Sequence, residues 1–353
     1  MLVNLVAIGG GSGLSVLLRG LKRHVGTEID DLAAAVAVAD DGGSSGRLRR
    51  DFGVLPPGDV RNCLVALADD EDLLARLFQY RFPNGGGLAG HSFGNLLLTA
   101  LAGITGDFYQ AVSTAESILS VRGRILPATL TDVRLRGHGV SGRDYEGETA
   151  VGGSAEPLSH VELEPRAVAA FPLAIEAIRR ADMVVLGPGS LYTSIIPNLL
   201  IAEIRDAIRE SPARVVLPLN LMTQPGETDS MDAVAHLDAV ERHAGPGLVD
   251  LVLVNETAAP EKTLRHYRAV GAELVAVDRA AIEARGIEVR GAELLEHGDL
   301  VRHDPVRLGD ELVALARESR RHQRREGIDA GTGGPEGGVR GGELGRSGDL
   351  GGG

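Results

Sequence analysis

Short continuous apolar runs alternate with helix-length amphipathic segments along most of the chain. Val3 to Ile8 is the first run. It ends in Gly9-Gly10-Gly11-Ser12-Gly13, after which Leu14, Leu17, Leu18 and Leu21 recur at helical spacing. A second run, Ala33 to Ala39, ends in Asp40-Asp41. Further runs are Met183 to Leu186, Val215 to Leu219, Val249 to Val254 and Leu274 to Val277. Strands that are apolar on both faces and separated by helices predict a parallel sheet covered on both sides. The expected fold is therefore α/β, a doubly wound, mostly parallel, Rossmann-like sheet. Residues from about 122 to 163 break the pattern with glycine turns and short alternating segments (Val133 to Arg136, Tyr145 to Thr149, His160 to Leu163), which predicts an inserted antiparallel β excursion.

The pattern stops near the C-terminus. From Gly327 to Gly353, 13 of 27 residues are glycine and large apolar side chains are scarce. Such a segment cannot bury enough surface to offset its ordering entropy. One α/β domain over 1–320 followed by a disordered glycine-rich tail over 321–353 is the expected organisation.

Composition narrows the partners. With 36 basic and 49 acidic residues the formal charge is −13. A general affinity for nucleic acid or an anionic membrane needs a positive field, so neither is expected. A local phosphate site remains open. Only Lys22 and Lys262 are lysines, so a charged contact to phosphate would come from arginine, as a bidentate fork. The single cysteine, Cys63, rules out an internal disulfide and a cysteine-based structural zinc site. No run reaches the roughly 18 apolar residues of a membrane span. The opening residues read as a first strand and not as a signal peptide. The expected location is the cytoplasm, without membrane insertion.

In open α/β sheets, ligands sit beyond the carboxyl ends of the strands, so the segments there are the candidate site. Gly9, Gly10, Gly11, Ser12 and Gly13 let the backbone approach a phosphate at a helix N-terminus. Leu14 breaks the full dinucleotide fingerprint and no Walker A sequence occurs, which argues against a nicotinamide-dependent oxidoreductase. Of Asp40 and Asp41, the first falls where dinucleotide folds place an acid against a ribose hydroxyl. Gly42, Gly43, Ser44 and Ser45 can form a nest of donors, and Arg47 can supply a charge-assisted bond. Asp59 is a plausible N-cap that puts Arg61 and Asn62 in a first helical turn. His91 and Asn95 are spaced i, i+4 and can share one helix face. Gly187, Gly189, Ser190, Tyr192 and Thr193 form a second glycine-rich strand-to-helix loop. Thr223 and Glu227 belong to a polar loop at the same edge, Asn220 to Asp229.

Taken together, VADDGGSSGRLR (Val38 to Arg49), PPGDVRN (Pro56 to Asn62), GHSFGNLLL (Gly90 to Leu98), GPGSLYTS (Gly187 to Ser194) and MTQPGETD (Met222 to Asp229) resemble the YvcK/CofD-like family. With the opening Gly9 to Gly13, the resemblance runs to about residue 320 and is nearest to the YvcK, gluconeogenesis-factor branch. That branch implies a regulatory protein that binds a nucleotide sugar, in particular UDP-N-acetylglucosamine. It also implies a link to cell shape and wall synthesis under gluconeogenic growth. No cofactor is then required. Tyr267 could stack on a base and, by the same resemblance, Arg302 is a candidate contact to the nucleotide sugar. A homodimer and cell-wall synthesis proteins are the partners to consider. The CofD branch implies the alternative, a Mg²⁺-dependent transfer of a phospholactyl group from a guanosine diphosphate donor to a deazaflavin. Asp40 and Asp41 would then be hard-metal ligands.

Overall fold

A computed structural model of the chain describes residues 2–68, 73–83 and 85–331. The first half contains β1 (Val3–Gly9), α1 (Gly11–Leu21), β2 (Ile29–Val36), α2 (Gly43–Phe52), α3 (Gly58–Leu67), α4 (Leu73–Gln79), α5 (Phe93–Thr105), α6 (Phe108–Leu119) and β3 (Arg124–Pro127). Next come β4 (Arg134–Gly139), β5 (Asp144–Glu146), α7 (Glu148–Gly152) and β6 (Leu158–Glu164). The second half has α8 (Pro172–Arg180), β7 (Met183–Leu186), a π-helical turn over Leu191–Ile195, α9 (Ile196–Leu199), α10 (Ala202–Glu210) and β8 (Arg214–Pro218). It closes with α11 (Ala233–Ala244), β9 (Leu251–Asn255), α12 (Glu261–Ala269), α13 (Arg279–Glu283), β10 (Glu288–Ala292) and α14 (Pro305–Gly331).

Seven strands form one sheet in the order β10-β9-β8-β7-β1-β2-β3, with every neighbouring pair parallel. β1 is an interior strand, next to the central β7, and almost entirely buried because apolar layers cover both faces. One layer, with α1, α3, α6 and α14, packs Leu14, Leu17, Leu64, Val112 and Leu312 on the sheet. The other, with α8 to α11 and the small sheet, packs Ile178, Ile196, Ile204 and Leu237. From β1 the chain winds to β2 and β3 on one side, then returns to β7 and proceeds to β10 on the other. The loops after β1 and β7 therefore diverge, and the crevice between them is the switch point at which such sheets take ligands.

Three expectations are adjusted. The excursion is narrower than 122–163: Arg124–Pro127 joins the main sheet beside Ala33–Val36, and the antiparallel sheet β5-β4-β6 spans 134–164. Leu274 to Val277 is not a sheet strand. Leu274 makes one isolated bridge to Met222, and Leu274 and Val277 face solvent, while Glu288–Ala292 supplies the edge strand. The edge position tolerates the polar Glu288 and Arg290, which is why that strand carries no apolar run. Finally, α14 continues to Gly331, past the boundary drawn at 320; residues 332–353, most of the expected tail, lie outside the described residues. Among the described residues, no helix is long and apolar enough to cross a membrane.

Candidate functional site

At the switch point the two glycine loops touch. Gly11 adopts φ +62°, a left-handed turn that glycine enters without a Cβ penalty. Gly13 is needed for a different reason. A Cβ there would collide with the Pro188 carbonyl oxygen and lie 2.8 Å from the Gly189 Cα. Asn220 holds the second loop by a pair of bonds, its Nδ2 donating to the Gly189 carbonyl at 2.8 Å and its Oδ1 accepting from the Gly189 N–H at 3.3 Å. Ser190 and Gln224 hydrogen-bond through their side chains.

A cleft of about 410 Å³ opens over this contact. Gly10 to Gly13 and Pro188 to Ser190 line it, with Asn220 to Met222, Gln224, Arg19, Arg302 and His303. The N-terminus of α1 faces it. The Gly11 N–H goes to the Asp59 carboxylate and the Leu14 N–H to the Gly10 carbonyl. Those of Ser12 and Gly13 have no protein acceptor among the described residues, which is the usual state of an anion-binding helix start. The charged lining residues are Arg19 and Arg302, and no carboxylate is among them. Arg302 is held from outside the cleft by Glu296. His303 is buried, and burial pushes its imidazole down to about 4, so the ring is neutral. Its other nitrogen bonds the Leu219 backbone, which leaves Nε2 as a buried acceptor without a partner.

On the β2 side of the first loop lies a second constellation, of carboxylates. Asp40 accepts from the Gly42 N–H at 2.8 Å. Asp41 accepts from the N–H and hydroxyl of Thr149 at 3.0 and 2.8 Å, which ties the β2 loop to α7. Asp59 sits under Gly10, where a Cβ would be 2.5 Å from its Oδ2. Burial and the neighbouring Asp40 raise the Asp59 carboxyl to about 6. Glu148, at the start of α7, is pushed to about 9 by burial and by Asp40, Asp59, Asp41 and Glu227. Glu227 is buried and stands at about 7, because burial outweighs the hydrogen bonds that it accepts from the Tyr192 and Thr193 N–H groups. Its Oε2 has no partner. Glu148 was not legible in the sequence, since it lies in the β excursion and only the folding back of α7 brings it here.

Glu148→Gln is expected to stabilise the protein at pH 8 and to be neutral at pH 4.5. The folded-state pKa of about 9 lies well above the ordinary range of a glutamate carboxyl. As pH rises through that window the unfolded chain releases its proton first, so ionisation favours unfolding and stability falls. The amide removes that loss. Allowing for partial solvent screening, the gain is about 1–2 kcal/mol at pH 8. Melting curves at the two pH values check the sign.

A third group packs around α2 and α5. His91 is held below its ordinary pKa, by burial first and then by Arg47. Its Nε2 accepts from Arg47 Nε at 3.2 Å, so Nδ1 donates to the Ser44 hydroxyl at 2.9 Å; Asn95 Nδ2 donates to the same oxygen at 3.1 Å. Arg47 also donates to the Ala89 carbonyl. It was expected at the phosphate; in this structure its Nε–H and Nη2 are used by His91 and the Ala89 carbonyl, and it does not line the cleft. Arg61 bonds Ser92 and Asn62. Gly42 and Gly43 open α2, and Ser45 packs against Gly58.

Four further candidates also lie outside the cleft lining. Tyr192 is 2% exposed and packs edge-on to His243, so its ring belongs to the core. Thr193 is likewise buried, with its N–H on Glu227. The Thr223 hydroxyl accepts from the Glu273 N–H and fastens its own loop. Tyr267 lies in a neighbouring groove with Lys262, His266, Val270 and Leu300, and its hydroxyl accepts from the Val301 N–H. Gly9 ends β1 and Gly187 follows the last residue of β7, beside the cleft.

Two facing glycine loops at the switch point of a doubly wound parallel sheet define a Rossmann-like ligand-binding α/β protein. The model for the family described as 2-phospho-L-lactate transferase CofD matches residues 5–295, and the chain belongs to that family, on its gluconeogenesis-factor (YvcK) branch. The gluconeogenesis factor of Halalkalibacterium halodurans is 45% identical over 311 residues, which cover 88% of this chain and 95% of that protein. The gluconeogenesis factor of Bacillus subtilis is 44% identical over 311 residues, covering 88% and 97%. A crystal structure of a upf0052 family member from Bacillus halodurans superposes with a TM-score of 0.84 at 44% identity, covering 88% of this chain and 99% of that one.

Proposed function

We propose that the protein binds a nucleoside-diphosphate sugar of the UDP-N-acetylglucosamine kind and acts through it as a regulator of cell shape and wall synthesis during gluconeogenic growth. The observation that carries the reading is the cleft itself, which presents free helix N–H groups, Arg19 and Arg302 and no lining carboxylate. A diphosphate needs that field, and a volume of this size holds a nucleotide-sized ligand. The neutral His303 offers an acceptor for a sugar hydroxyl or a base N–H. The names of the gluconeogenesis-factor relatives support the link to gluconeogenesis.

Calorimetry against a panel of nucleotides and nucleotide sugars tests it. Saturable binding of UDP-N-acetylglucosamine is expected, and a flat response across the panel sinks the reading. Arg302→Ala should weaken binding about tenfold or more, as expected for a charge-assisted bond of ~1.5–3 kcal/mol. Arg302→Lys should recover only part, since lysine lacks the planar fork. Affinity should not vary through His303 between pH 6 and 8, because its ring is already neutral there.

The carboxylates favour a second reading, a transferase of phosphorus-containing groups that depends on Mg²⁺. Asp40, Asp59 and Glu148 lie close enough to raise one another's affinity for protons, and a dication would relieve that repulsion. Among the described residues, however, their oxygens do not converge within 4.8 Å as a set of three ligands, so a cation would have to draw them together. When bound, the cation would offset charge on a diphosphate leaving group.

A further inference from the structure

The solvent face of the small antiparallel sheet carries a cluster that neither reading uses. β4 and β6 pair with His138 directly opposite His160, and Glu162, two residues along from His160, falls on the same face. The two imidazoles stack with centroids 4.3 Å apart and 15° between their planes. His138 Nδ1 lies 2.7 Å from Asp144 Oδ1. An ionised carboxylate can only accept, so Nδ1 carries the proton. Nε2 is then turned toward Glu162 Oε1, 3.5 Å away. That Nε2 is buried and makes no hydrogen bond. Glu162 uses its other oxygen on Arg166, at 2.5 Å. One ligand atom from each of His138, His160 and Glu162 lies within 4.8 Å of the other two.

We propose that His138, His160 and Glu162 form a binding site for a first-row transition cation of the Zn²⁺ class. Two imidazole nitrogens and one carboxylate oxygen make a donor set for such a cation and not for Mg²⁺, which prefers oxygen alone. Tetrahedral ligands at ~2.1 Å stand ~3.4 Å apart, close to the separation already present between His138 and Glu162. Asp144 plays the outer role of a carboxylate that fixes the tautomer and orientation of a ligating histidine. A fourth position is left to water. The site would tie β4 to β6. On the opposite face of β4, Gly137 packs so closely on Val151 of α7 that a Cβ would lie 3.0 Å from its methyl group. An occupied site would therefore stiffen the platform that presents Glu148.

The full chain, stripped with chelator and then freed of it, is titrated with Zn²⁺ by calorimetry and with Co²⁺ by visible absorption. Both titrations contain millimolar Mg²⁺, so that the oxygen-only carboxylate set is already supplied. One equivalent is expected, with the intense d–d absorption of four-coordinate Co²⁺. His160→Ala, at an exposed position that costs no core packing, and His138→Ala should each lower affinity at least tenfold, with melting temperature unchanged. Asp144→Asn should cost roughly tenfold. His266→Ala, on exposed α12, should change nothing. Absence of a stoichiometric Co²⁺ spectrum in the parent protein overturns the proposal, and so does a spectrum that survives in the double variant His138→Ala/His160→Ala.

Discussion

Gly13→Ala is expected to lower the melting temperature by roughly 5 °C and to remove measurable nucleotide-sugar binding. Gly13 lies inside α1, where alanine is intrinsically favoured by about 1 kcal/mol, so propensity alone predicts a gain. Packing decides the other way. All three nearest atoms to the new Cβ are backbone, the Pro188 carbonyl carbon and oxygen and the Gly189 Cα, and none can rotate aside. The two loops must part, at a net cost of about 3–4 kcal/mol, which for a chain of this size corresponds to roughly 5 °C. The same displacement moves the Ser12 and Gly13 N–H groups relative to Ser190, so the ligand loses both walls together. Gly103→Ala is the control. It sits in the last turn of α5 with no atom within 4 Å of its added Cβ, and should be neutral or slightly stabilising. Calorimetric melting with ligand titration on both variants checks the pair. An unchanged melting temperature for Gly13→Ala would mean that the loop contact has slack.

The parallel sheet and the glycine loops were legible because each is a local pattern: an apolar run, then glycines, then helical spacing. The division of the site was not. The first glycine loop and the Asp40 to Arg47 segment read as neighbouring parts of one diphosphate site, yet the Gly10-Gly11 turn lies over Asp59, with the cleft opening on the β7 and β8 side. Only the strand order reveals that separation, and strand order is not local. The same reason hid Glu148, which α7 carries back to the β2 loop through the Asp41–Thr149 bonds. Arg47 looked like a phosphate contact by charge and position; that its Nε–H also holds His91, 44 places on, was not legible. Tyr192 stood out by rarity, and the π-helical turn aims it into the core. Arg19 and His303 had no distinguishing pattern, one being a helix-surface arginine and the other a histidine in a loop.

The separation makes the cation dependence of binding decisive. With the diphosphate in the cleft, its counter-charge comes from Arg19, Arg302 and the α1 N-terminus, and the carboxylates face the other side of the loop. UDP-N-acetylglucosamine is then expected to bind with the same affinity, within about twofold, in chelator and in millimolar Mg²⁺. Asp59→Asn should change affinity only modestly, because the amide oxygen can still accept from the Gly11 N–H and keep the turn in place. Asp40→Asn should behave alike, its amide oxygen accepting from the Gly42 N–H. The transferase reading gives the opposite pattern. A cation on Asp40, Asp59 and Glu148 would draw the diphosphate to that side, so chelator or either Asp→Asn change would reduce binding tenfold or more and abolish product. Incubation with UDP-sugars or a guanosine-diphosphate-linked donor and Mg²⁺, followed by product analysis, separates the two. Unchanged nucleotide sugar with chelator-insensitive binding supports the regulator. A nucleoside monophosphate that appears only with Mg²⁺ and disappears in Asp59→Asn would transfer the site to catalysis, since a pure binder has no reason to break the diphosphate linkage.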